Sequence, residues 1–314
     1  MKKKIFAILS CVISLIIITL GIYQIAYNYP SYLDYSNFVL TFEDDFNSTL
    51  NEDIWSGHYT YGTSIRKGGY WNKDFAYTKD GNLIIDLKYE ENYKNSGKSG
   101  WFSAGIDTDY EASIGFNQKY GYFECRCILP ETKNAWSAFW LMNDGVYNVD
   151  GSGKDGTEID VFESNRVRLK NNHKITSSLH YDGYGDAHKK MGPREAKIDN
   201  NPYQNFNTYG VLWEEDKYTF YVNGKKTFST NFGGVSQNPE YLILSVEVNG
   251  KDGIANANLD KTKTLKENAN KYYKLYNKSK TSNQKLTEFI NKLLQRKPNN
   301  RLRLSGPTKV KEKN

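Results

Sequence analysis

Three carboxylates lie within six residues of this chain, in the run Glu158-Ile159-Asp160-Val161-Phe162-Glu163. The β-branched and aromatic residues between them predict a β-strand, in which successive side chains point to opposite faces. Glu158 and Asp160 then share one face, and Glu163 joins them only if a β-bulge at Val161 and Phe162 shifts the parity. Ionised carboxylates this close repel one another, so stability gives no reason to gather them. A retaining glycosidase does need such a set, because it uses a nucleophilic carboxylate and an acid/base carboxyl roughly 5–5.5 Å apart.

The elements that must position these residues are predicted to be strands. Apolar runs typical of strands occur at residues 39–42, 82–87 and 121–129. Residues 218–228 contain two more runs, joined by the Asn-Gly pair that is the strongest short-range signal for a β-hairpin. Aromatic residues make up 15% of the chain, which suits an all-β protein whose groove stacks on flat rings. We expect an antiparallel β-sandwich or jelly roll with a concave substrate cleft.

The first 27 residues are predicted to lie outside this domain. Three lysines precede an apolar run from Ile5 to Ile22, which is long for the core of a signal peptide and suits a transmembrane helix. Lysines at that position would keep the N-terminus in the cytoplasm and export the remainder. We expect residues 1–27 to be an uncleaved signal anchor, with a cleaved signal peptide as the alternative, and residues 28–37 to be a juxtamembrane linker. The domain is then extracellular, held at the outer face of the membrane or secreted.

The net charge of +6 is unevenly distributed. Residues 278–314 carry eleven Lys or Arg against two Glu, and residues 1–30 carry three Lys and no acid, so the central region has a net charge of −6. This argues against nucleic acid as a partner, and weakly against sulfated galactans. In the basic tail at 278–314, residues 286–295 have the spacing of a short amphipathic helix, which either caps the domain or touches a membrane or partner. Residues 297–314 are expected to be disordered.

The carboxylate run is one of several motifs that occur in a fixed order. The others are Phe42-Glu43-Asp44-Asp45-Phe46, Ser103-Ala104-Gly105-Ile106-Asp107-Thr108, Tyr120-Gly121-Tyr122-Phe123-Glu124, Trp136-Ser137-Ala138-Phe139-Trp140-Leu141 and His180-Tyr181-Asp182-Gly183-Tyr184. Over residues 38–277 these motifs resemble glycoside hydrolase family 16, the laminarinase-like β-glucanase and endo-β-galactosidase group with a concanavalin-like jelly roll. The resemblance implies that Glu158 is the nucleophile and Glu163 the acid/base. Asp160, between them, would hold Glu158 in place and keep Glu163 protonated.

Four further residues are candidates for binding sugar. Trp136 and Trp140 share a strand face by parity, and the resemblance places Trp136 beside the sugar, where a flat ring suits axial C–H groups. Both indoles could instead belong to the core. The resemblance implies a position in the cleft for His180, with a structural histidine as the alternative. Glu247 lies on the polar face of the alternating run at 242–249, where it either binds sugar hydroxyls or faces solvent.

One part of the family pattern is altered. Family members usually close with a strand that pairs with the N-terminal strand, and the nearest match here is Lys271-Tyr272-Tyr273-Lys274-Leu275-Tyr276. Many members bind a structural calcium near that strand, but Lys271 stands where an acid is usual, so a structural calcium is left only as an alternative. We expect no cofactor and no catalytic metal. The alternative for residues 262–296 is a wholly helical segment, which would leave the sheet without its closing strand.

These features predict a retaining endo-glycosidase that hydrolyses internal β-linkages of a polysaccharide. A β-1,3- or mixed-linkage glucan is the expected substrate, and an endo-β-galactosidase, an agarase-type hydrolase or a transglycosylase is the alternative. A carbohydrate-binding lectin on the same fold is the competing class, although a lectin has no need of three crowded carboxylates. A surface scaffold acting through the basic tail is a third alternative. We expect a monomer whose partners are a polysaccharide and, through the N-terminal segment, a membrane.

Overall fold

The computed structural model describes residues 32–58, 63–109, 112–131, 134–165 and 173–256, the backbone of 302–307, and the single positions 14 and 19. Within these ranges no helix has the length and apolar character needed to span a membrane. Several predicted segments fall almost wholly outside the described residues: the anchor at 1–27, the closing strand at 271–276 and the amphipathic helix at 286–295.

Strands dominate the described chain, and its helices are short 3₁₀ turns. In chain order the strands are β1 (Phe38–Asp44), β2 (Ser56–Gly57), β3 (Ser64–Arg66), β4 (Gly69–Trp71), β5 (Ala76–Thr78), β6 (Leu83–Ile85), β7 (Lys88–Glu90), β8 (Gly100–Ser103), β9 (Gly105–Asp107), β10 (Asn117–Gln118), β11 (Gly121–Cys127), β12 (Ala135–Met142), β13 (Glu158–Asn165), β14 (Lys174–Tyr181), β15 (Lys189–Lys197), β16 (Asn207–Trp213), β17 (Tyr218–Val222), β18 (Lys225–Thr230), β19 (Glu240–Val248), β20 (Gly250–Lys251), β21 (Ile254–Ala255) and β22 (Leu302–Pro307). The 3₁₀ turns in the described ranges are Tyr35–Asn37, Lys73–Phe75, Tyr93–Asn95 and Asp144–Tyr147.

Two antiparallel sheets form the body of the molecule. One has six strands in the order β1-β22-β11-β16-β17-β18, and the other has eight, in the order β15-β14-β13-β12-β19-β9-β2 with β10 also paired to β19. Their inner faces share one apolar core, in which the rings of Phe162 on β13 and Tyr209 on β16 lie 4.5 Å apart between centroids. The predicted all-β antiparallel sandwich is therefore confirmed.

Burial fixes the register of the strands that carry the outer face of the eight-stranded sheet. In β12, Phe139 and Leu141 are fully buried between the sheets, whereas Trp136 and Trp140 lie on the opposite face. Burying a Phe or Leu side chain contributes about 1.5–3 kcal/mol, and slipping the strand by one residue would forfeit it. A second apolar cluster covers part of the outer face, and it consists of Trp71, Trp140, Met142, Val146, Tyr241 and Ile243.

The predicted hairpin is present as β17 and β18. Asn223 and Gly224 connect the two strands with φ angles of 52° and 74°. A two-residue turn of this kind needs positive φ at both positions, which Gly adopts freely and Asn tolerates. The hairpin prediction is confirmed.

Residues 32–37, which form part of the predicted linker, already lie against the domain. The backbone N–H of Leu33 donates to the carbonyl of Gly224 at 2.9 Å. The hydroxyl of Tyr35 donates to Glu124 at 2.8 Å, and Tyr122 donates to the same carboxylate oxygen at 2.8 Å. The chain is thus docked on the six-stranded sheet before β1 begins.

Residues 302–307 form β22, which is antiparallel to both β1 and β11. Phe38 is opposite Pro307 and Tyr122 is opposite Ser305, so β22 fills the place between the N-terminal strand and the rest of its sheet. The expectation that residues 297–314 are disordered is wrong for these six residues, which pair within the six-stranded sheet. The basic composition of the tail masks a period-two pattern, because Leu302-Arg303-Leu304-Ser305 alternates apolar and polar residues as strands do.

A chain truncated after residue 301 should be markedly less stable than the full chain. The truncation removes the backbone partners of β1 and β11, and each net hydrogen bond lost costs about 1 kcal/mol, so a loss of several kcal/mol is expected. Urea unfolding measures this difference. A chain truncated after Pro307 is the matched control and should unfold like the full chain; equal stability of the two truncated chains would contradict the pairing of β22.

Candidate active site

The three carboxylates lie on β13, where a β-bulge interrupts the pairing with both neighbouring strands. Between Asp160 and Glu163, β13 advances three residues while β14 advances two, and the pairing with β12 shifts at the same place. Val161 and Phe162 both point into the core and are each 2% exposed. Glu163 is thereby turned to the face of Glu158 and Asp160, so the predicted bulge is confirmed.

This face forms the floor of a cleft with a volume of about 420 Å³, a size within the range of ligand sites. Strands β12, β13, β14 and β19 supply the floor, and their register sets residues side by side across it. Glu158 is opposite His180 on β14, and Trp136 is opposite Glu247 on β19. The turn between β3 and β4 and the loop after β14 supply the walls.

Two donors hold the carboxyl group of Glu163. Trp136 donates its Nε1–H to Oε1 at 3.0 Å, and Ser178 donates its hydroxyl to Oε2 at 3.3 Å. Burial raises the pKa of Glu163, while His180 and these two hydrogen bonds oppose the rise. A raised pKa favours the protonated form of the carboxyl, which is the state that a general acid requires.

Glu158 is partly exposed and is contacted by Tyr184, whose hydroxyl donates to Oε2. Burial, followed by the charge of Asp160, raises the pKa of Glu158 to about 8. His180 and the hydrogen bond from Tyr184 act in the opposite direction and favour the ionised form. Because only the ionised carboxylate can attack an anomeric carbon, these two neighbours favour the state that a nucleophile needs.

Asp160 lies between the two glutamates and is 5% exposed. Its Oδ2 is 3.3 Å from Nε2 of His180. Burial, with the charges of Glu163 and Glu247, raises the pKa of Asp160 well above its usual range, and Lys67 opposes this. Three neighbouring carboxyl groups cannot all ionise without strong repulsion, so the cluster retains protons near neutral pH.

Both tryptophans predicted to bind sugar line the cleft, but they differ in exposure. Trp136 is partly exposed, and Nζ of Lys67 lies 4.8 Å from its ring centroid. Trp140 is only 5% exposed and donates its Nε1–H to Ser245 at 3.1 Å. Trp140 therefore belongs mainly to the second apolar cluster, which is the alternative that its sequence left open.

The two polar residues predicted for the cleft also line it. His180 contacts Asp160 and a second histidine, His188, rather than being buried in the core. Glu247 accepts a hydrogen bond from Nε of Arg66 at 2.6 Å, so its carboxylate is fixed and is not simply solvated.

Besides Ala138 and Ser245, which lie on strand faces already assigned to the cleft, five lining residues were missed by the sequence analysis as site residues, namely Arg66, Lys67, Tyr147, Tyr184 and His188. Tyr184 stands within the family motif at 180–184, so the signal was present although no role was given to it. The other four lie in or beside turns, where no periodicity marks the direction of a side chain.

One group of atoms in the cleft has the spacing of metal ligands. An oxygen of Glu158, an oxygen of Asp160 and a ring nitrogen of His180 all lie within 4.8 Å of one another. The contact of His180 with Asp160, at 3.3 Å, accounts for part of this spacing. The region where the family resemblance placed a structural calcium, around Lys271, is outside the described residues.

Glu158→Gln should change how stability depends on pH. Between its ordinary pKa of 4.5 and its folded pKa of about 8, Glu158 is protonated in the folded chain and ionised in the unfolded chain. Unfolding then releases a proton, so stability falls as pH rises through this window. Glutamine does not ionise, and one pKa unit corresponds to about 1.4 kcal/mol. We therefore expect the stability of the variant to exceed that of wild type by roughly 4 kcal/mol near pH 8 and to match it near pH 4.

Urea unfolding at intervals across this pH range measures the effect. Glu215→Gln is the matched control, because Glu215 is exposed and outside the cleft, and its curve should run parallel to that of wild type. A Glu158→Gln curve that also runs parallel to wild type would contradict the raised pKa.

Comparison with known proteins places these features in a family. The family model described as "Beta-porphyranase A-D, GH16 domain" matches residues 37–284. The Endo-1,3-1,4-beta-glycanase EglC of Rhizobium meliloti (strain 1021) is 26% identical over 242 residues, which cover 70% of this chain and 48% of the relative. The Glucan endo-1,3-beta-glucosidase of Cryptopygus antarcticus is 25% identical over 257 residues, which cover 72% of this chain and 87% of the relative. The chain thus spans about half the length of the rhizobial enzyme.

A solved structure has the same fold. The catalytic domain of an endo-1,3-beta-glucanase (laminarinase) from Thermotoga petrophila RKU-1 superimposes with a TM-score of 0.55 at 21% identity, over 70% of this chain and 91% of that chain. The family model covers well over half of the present chain, from the strand that begins the sandwich to beyond the last strand of the cleft. The chain belongs to glycoside hydrolase family 16, in the family described as the GH16 domain of beta-porphyranases A–D.

Proposed function

We propose that this protein is a retaining endo-glycosidase that hydrolyses internal β-linkages of a β-1,3- or mixed-linkage glucan. The observation that carries the proposal is the bulge in β13, which brings Glu158, Asp160 and Glu163 to one cleft. A lectin gains nothing from three crowded carboxyl groups with raised pKa values, whereas double displacement needs a nucleophile and an acid/base. The names of the relatives, an endo-1,3-1,4-beta-glycanase and a glucan endo-1,3-beta-glucosidase, support a glucan as the substrate.

In the first step, a carboxylate oxygen of Glu158 attacks the anomeric carbon as the glycosidic C–O bond breaks. The bonding pair leaves with the glycosidic oxygen, which takes the proton of Glu163, and a glycosyl-enzyme ester forms on Glu158. The hydrogen bond from Trp136 orients Glu163 toward this oxygen, and Tyr184 fixes the oxygen of Glu158 that it contacts.

In the second step, water attacks the same carbon from the side that the leaving group vacated. Glu163, now ionised, takes the proton of the water, and the ester bond to Glu158 breaks. Esterification of Glu158 removes one negative charge from the cluster, which lowers the electrostatic cost of ionising Glu163 at this stage. Two inversions at one carbon give net retention of configuration.

A β-galactan is the second candidate substrate, as in an endo-β-galactosidase or agarase-type hydrolase. The description of the matching family, which names porphyranases, favours it. The turn between β3 and β4 also brings two cations to the cleft, Arg66 and Lys67. A cation beside the ring of Trp136 suits a glycan with anionic substituents. The central region is acidic overall, but this turn is locally basic.

The full chain should release reducing ends from laminarin or lichenan, or from agarose or porphyran if the galactan candidate is right. Glu158→Gln should abolish release, because the amide cannot form the covalent intermediate. Glu163→Gln should lower the rate by roughly 10²–10⁴-fold, the usual contribution of general acid–base catalysis. Glu215→Gln, in an exposed loop, should retain the rate of wild type.

Other outcomes of this assay separate the alternatives. Glycan binding by wild type without release from any of the four polymers would sink the hydrolase and favour a lectin. Products longer than the substrate would indicate transglycosylation, in which a sugar hydroxyl replaces water in the second step. Proton NMR of the earliest products tests the stereochemistry, and initial appearance of the inverted anomer would rule out Glu158 as the nucleophile.

We also propose that residues 1–27 anchor the domain to the outer face of the cell membrane. An apolar run of 18 residues behind three lysines supports this orientation, although a cleaved signal peptide and secretion would fit the same residues. Deleting residues 1–27 should move the protein from the membrane fraction to the soluble fraction of the producing cell. Recovery of the uncleaved full chain in the soluble fraction would contradict the anchor, and its release into the medium after cleavage would favour the signal peptide.

A further inference from the structure

Two histidines meet at the edge of the cleft through their ring nitrogens. Nδ1 of His180 lies 2.8 Å from Nε2 of His188. The ring centroids are 5.0 Å apart, and the ring planes differ by only 11°. The centroid separation exceeds the N···N distance by about two ring radii, so the rings lie side by side in nearly one plane. This is the geometry of a near-linear N–H···N hydrogen bond.

Such a contact can hold only one proton between its two nitrogens. A neutral imidazole has one protonated nitrogen that donates and one unprotonated nitrogen that accepts. The other ring nitrogen of His180, Nε2, faces Oδ2 of Asp160 at 3.3 Å. If Nε2 carries the proton of a neutral His180, Nδ1 must accept, and His188 must then donate from its Nε2. Whether His188 donates or accepts in this contact thus decides whether Nε2 of His180 carries a proton that it can donate to Asp160.

We propose that His188 is a positioning residue, which donates its Nε2–H to Nδ1 of His180 and so holds His180 in the tautomer whose Nε2–H points at Asp160. This inference deepens the proposed function, because it assigns the orientation of the residue that contacts the central carboxylate of the cleft. His188 itself acts through His180.

The surroundings of His188 fix its place and disfavour its charged form. Its backbone N–H donates to the carbonyl of Gly185 at 3.1 Å, in the turn that leads into β15. The ring of Tyr184 lies 5.6 Å away, between centroids. Burial, with the charges of His180 and Lys190, lowers the pKa of His188. A neutral His188 carries a single ring proton, and the proposed tautomer of His180 requires that proton on Nε2.

The consequence of this arrangement falls on Asp160. Hydrogen bonding to the ionised form of a carboxyl group favours that form. An N–H from His180, whose Nε2 lies 3.3 Å from Oδ2, acts in the same direction as Lys67, which opposes the burial that raises the pKa of Asp160. In the other tautomer, Nε2 would turn a lone pair toward an ionised Asp160, and the two would repel. Through the tautomer of His180, His188 thereby determines whether the ionised form of Asp160 is stabilised or destabilised.

The tautomer of His180 can be measured by ¹⁵N NMR of the full chain labelled at histidine. The chain has four histidines, so each can be assigned by a single substitution. We expect His180 to show a protonated Nε2 and an unprotonated Nδ1 in wild type and in His188→Gln, whose amide N–H can replace the donor. In His188→Glu the carboxylate can only accept, so Nδ1 of His180 should become protonated.

Activity provides the second readout. Removing the outer hydrogen-bond partner of a functional histidine costs on the order of tenfold, so kcat should fall by about that factor in His188→Glu, with a smaller change in KM. His188→Gln should recover most of the loss. His173→Asn is the control, because His173 lies outside the cleft at a left-handed position that Asn tolerates, and it should leave both readouts unchanged.

A protonated Nδ1 on His180 in wild type would overturn the proposal, and so would equal losses of kcat in the Gln and Glu variants. The NMR measurement needs no substrate. If wild type cleaves none of the polysaccharides, the proposed function fails while the tautomer assignment is still decided by the spectra.

Discussion

Crowding of like charge is the constraint on which the rest of this site depends. Glu158, Asp160 and Glu163 are brought to one face, and burial strengthens every interaction among them. The surrounding groups act on this charge in two ways. Tyr184 and His180 favour ionisation at one end, and donors on both sides of Glu163 fix its geometry at the other. The free energy lost by gathering the carboxyl groups is offset by the core on the reverse of the same strand.

A buried polar network also supports the floor of the cleft. His58 and Asp107 are fully buried, and Nδ1 of His58 lies 2.6 Å from a carboxylate oxygen of Asp107. The ring of His58 meets Trp140 edge to face, with centroids 5.2 Å apart. Ser56 donates to the other oxygen of Asp107 at 2.8 Å. This polar network joins β2 and β9 to the apolar cluster on the face that carries the cleft, so Trp140 stiffens the strand that presents Trp136.

The sequence predicted those features that depend on strand periodicity and local turn chemistry. Parity on β12 separated the core side chain Phe139 from Trp136, and the Asn-Gly pair identified its hairpin. The bulge was predictable because the positions of the three carboxylates require it. Arg66 and His188 were not predicted as site residues. Both reach the cleft from outside the eight-stranded sheet, and tertiary contacts set the direction of their side chains. Residues 302–307 form a strand although the basic composition of the tail predicted disorder. Their alternating pattern is only a few residues long, so it is a weak signal beside the surrounding charge.

The position of β22 has a consequence for the order in which the molecule can fold. The strand nearest the end of the chain is the one that joins β1, at its beginning, to β11. Pairings between segments so distant in sequence are slow to form, because a long loop must close before any contact rewards it. While the chain is being synthesised, β1 and β11 therefore present unpaired edges, which are the surfaces most prone to misassociation. Strand β13 and its neighbours β12 and β14 lie within one continuous stretch of sequence, and β19, which completes the floor of the cleft, also precedes β22. The cleft can thus assemble first, and the opposite sheet closes only when the last strand arrives.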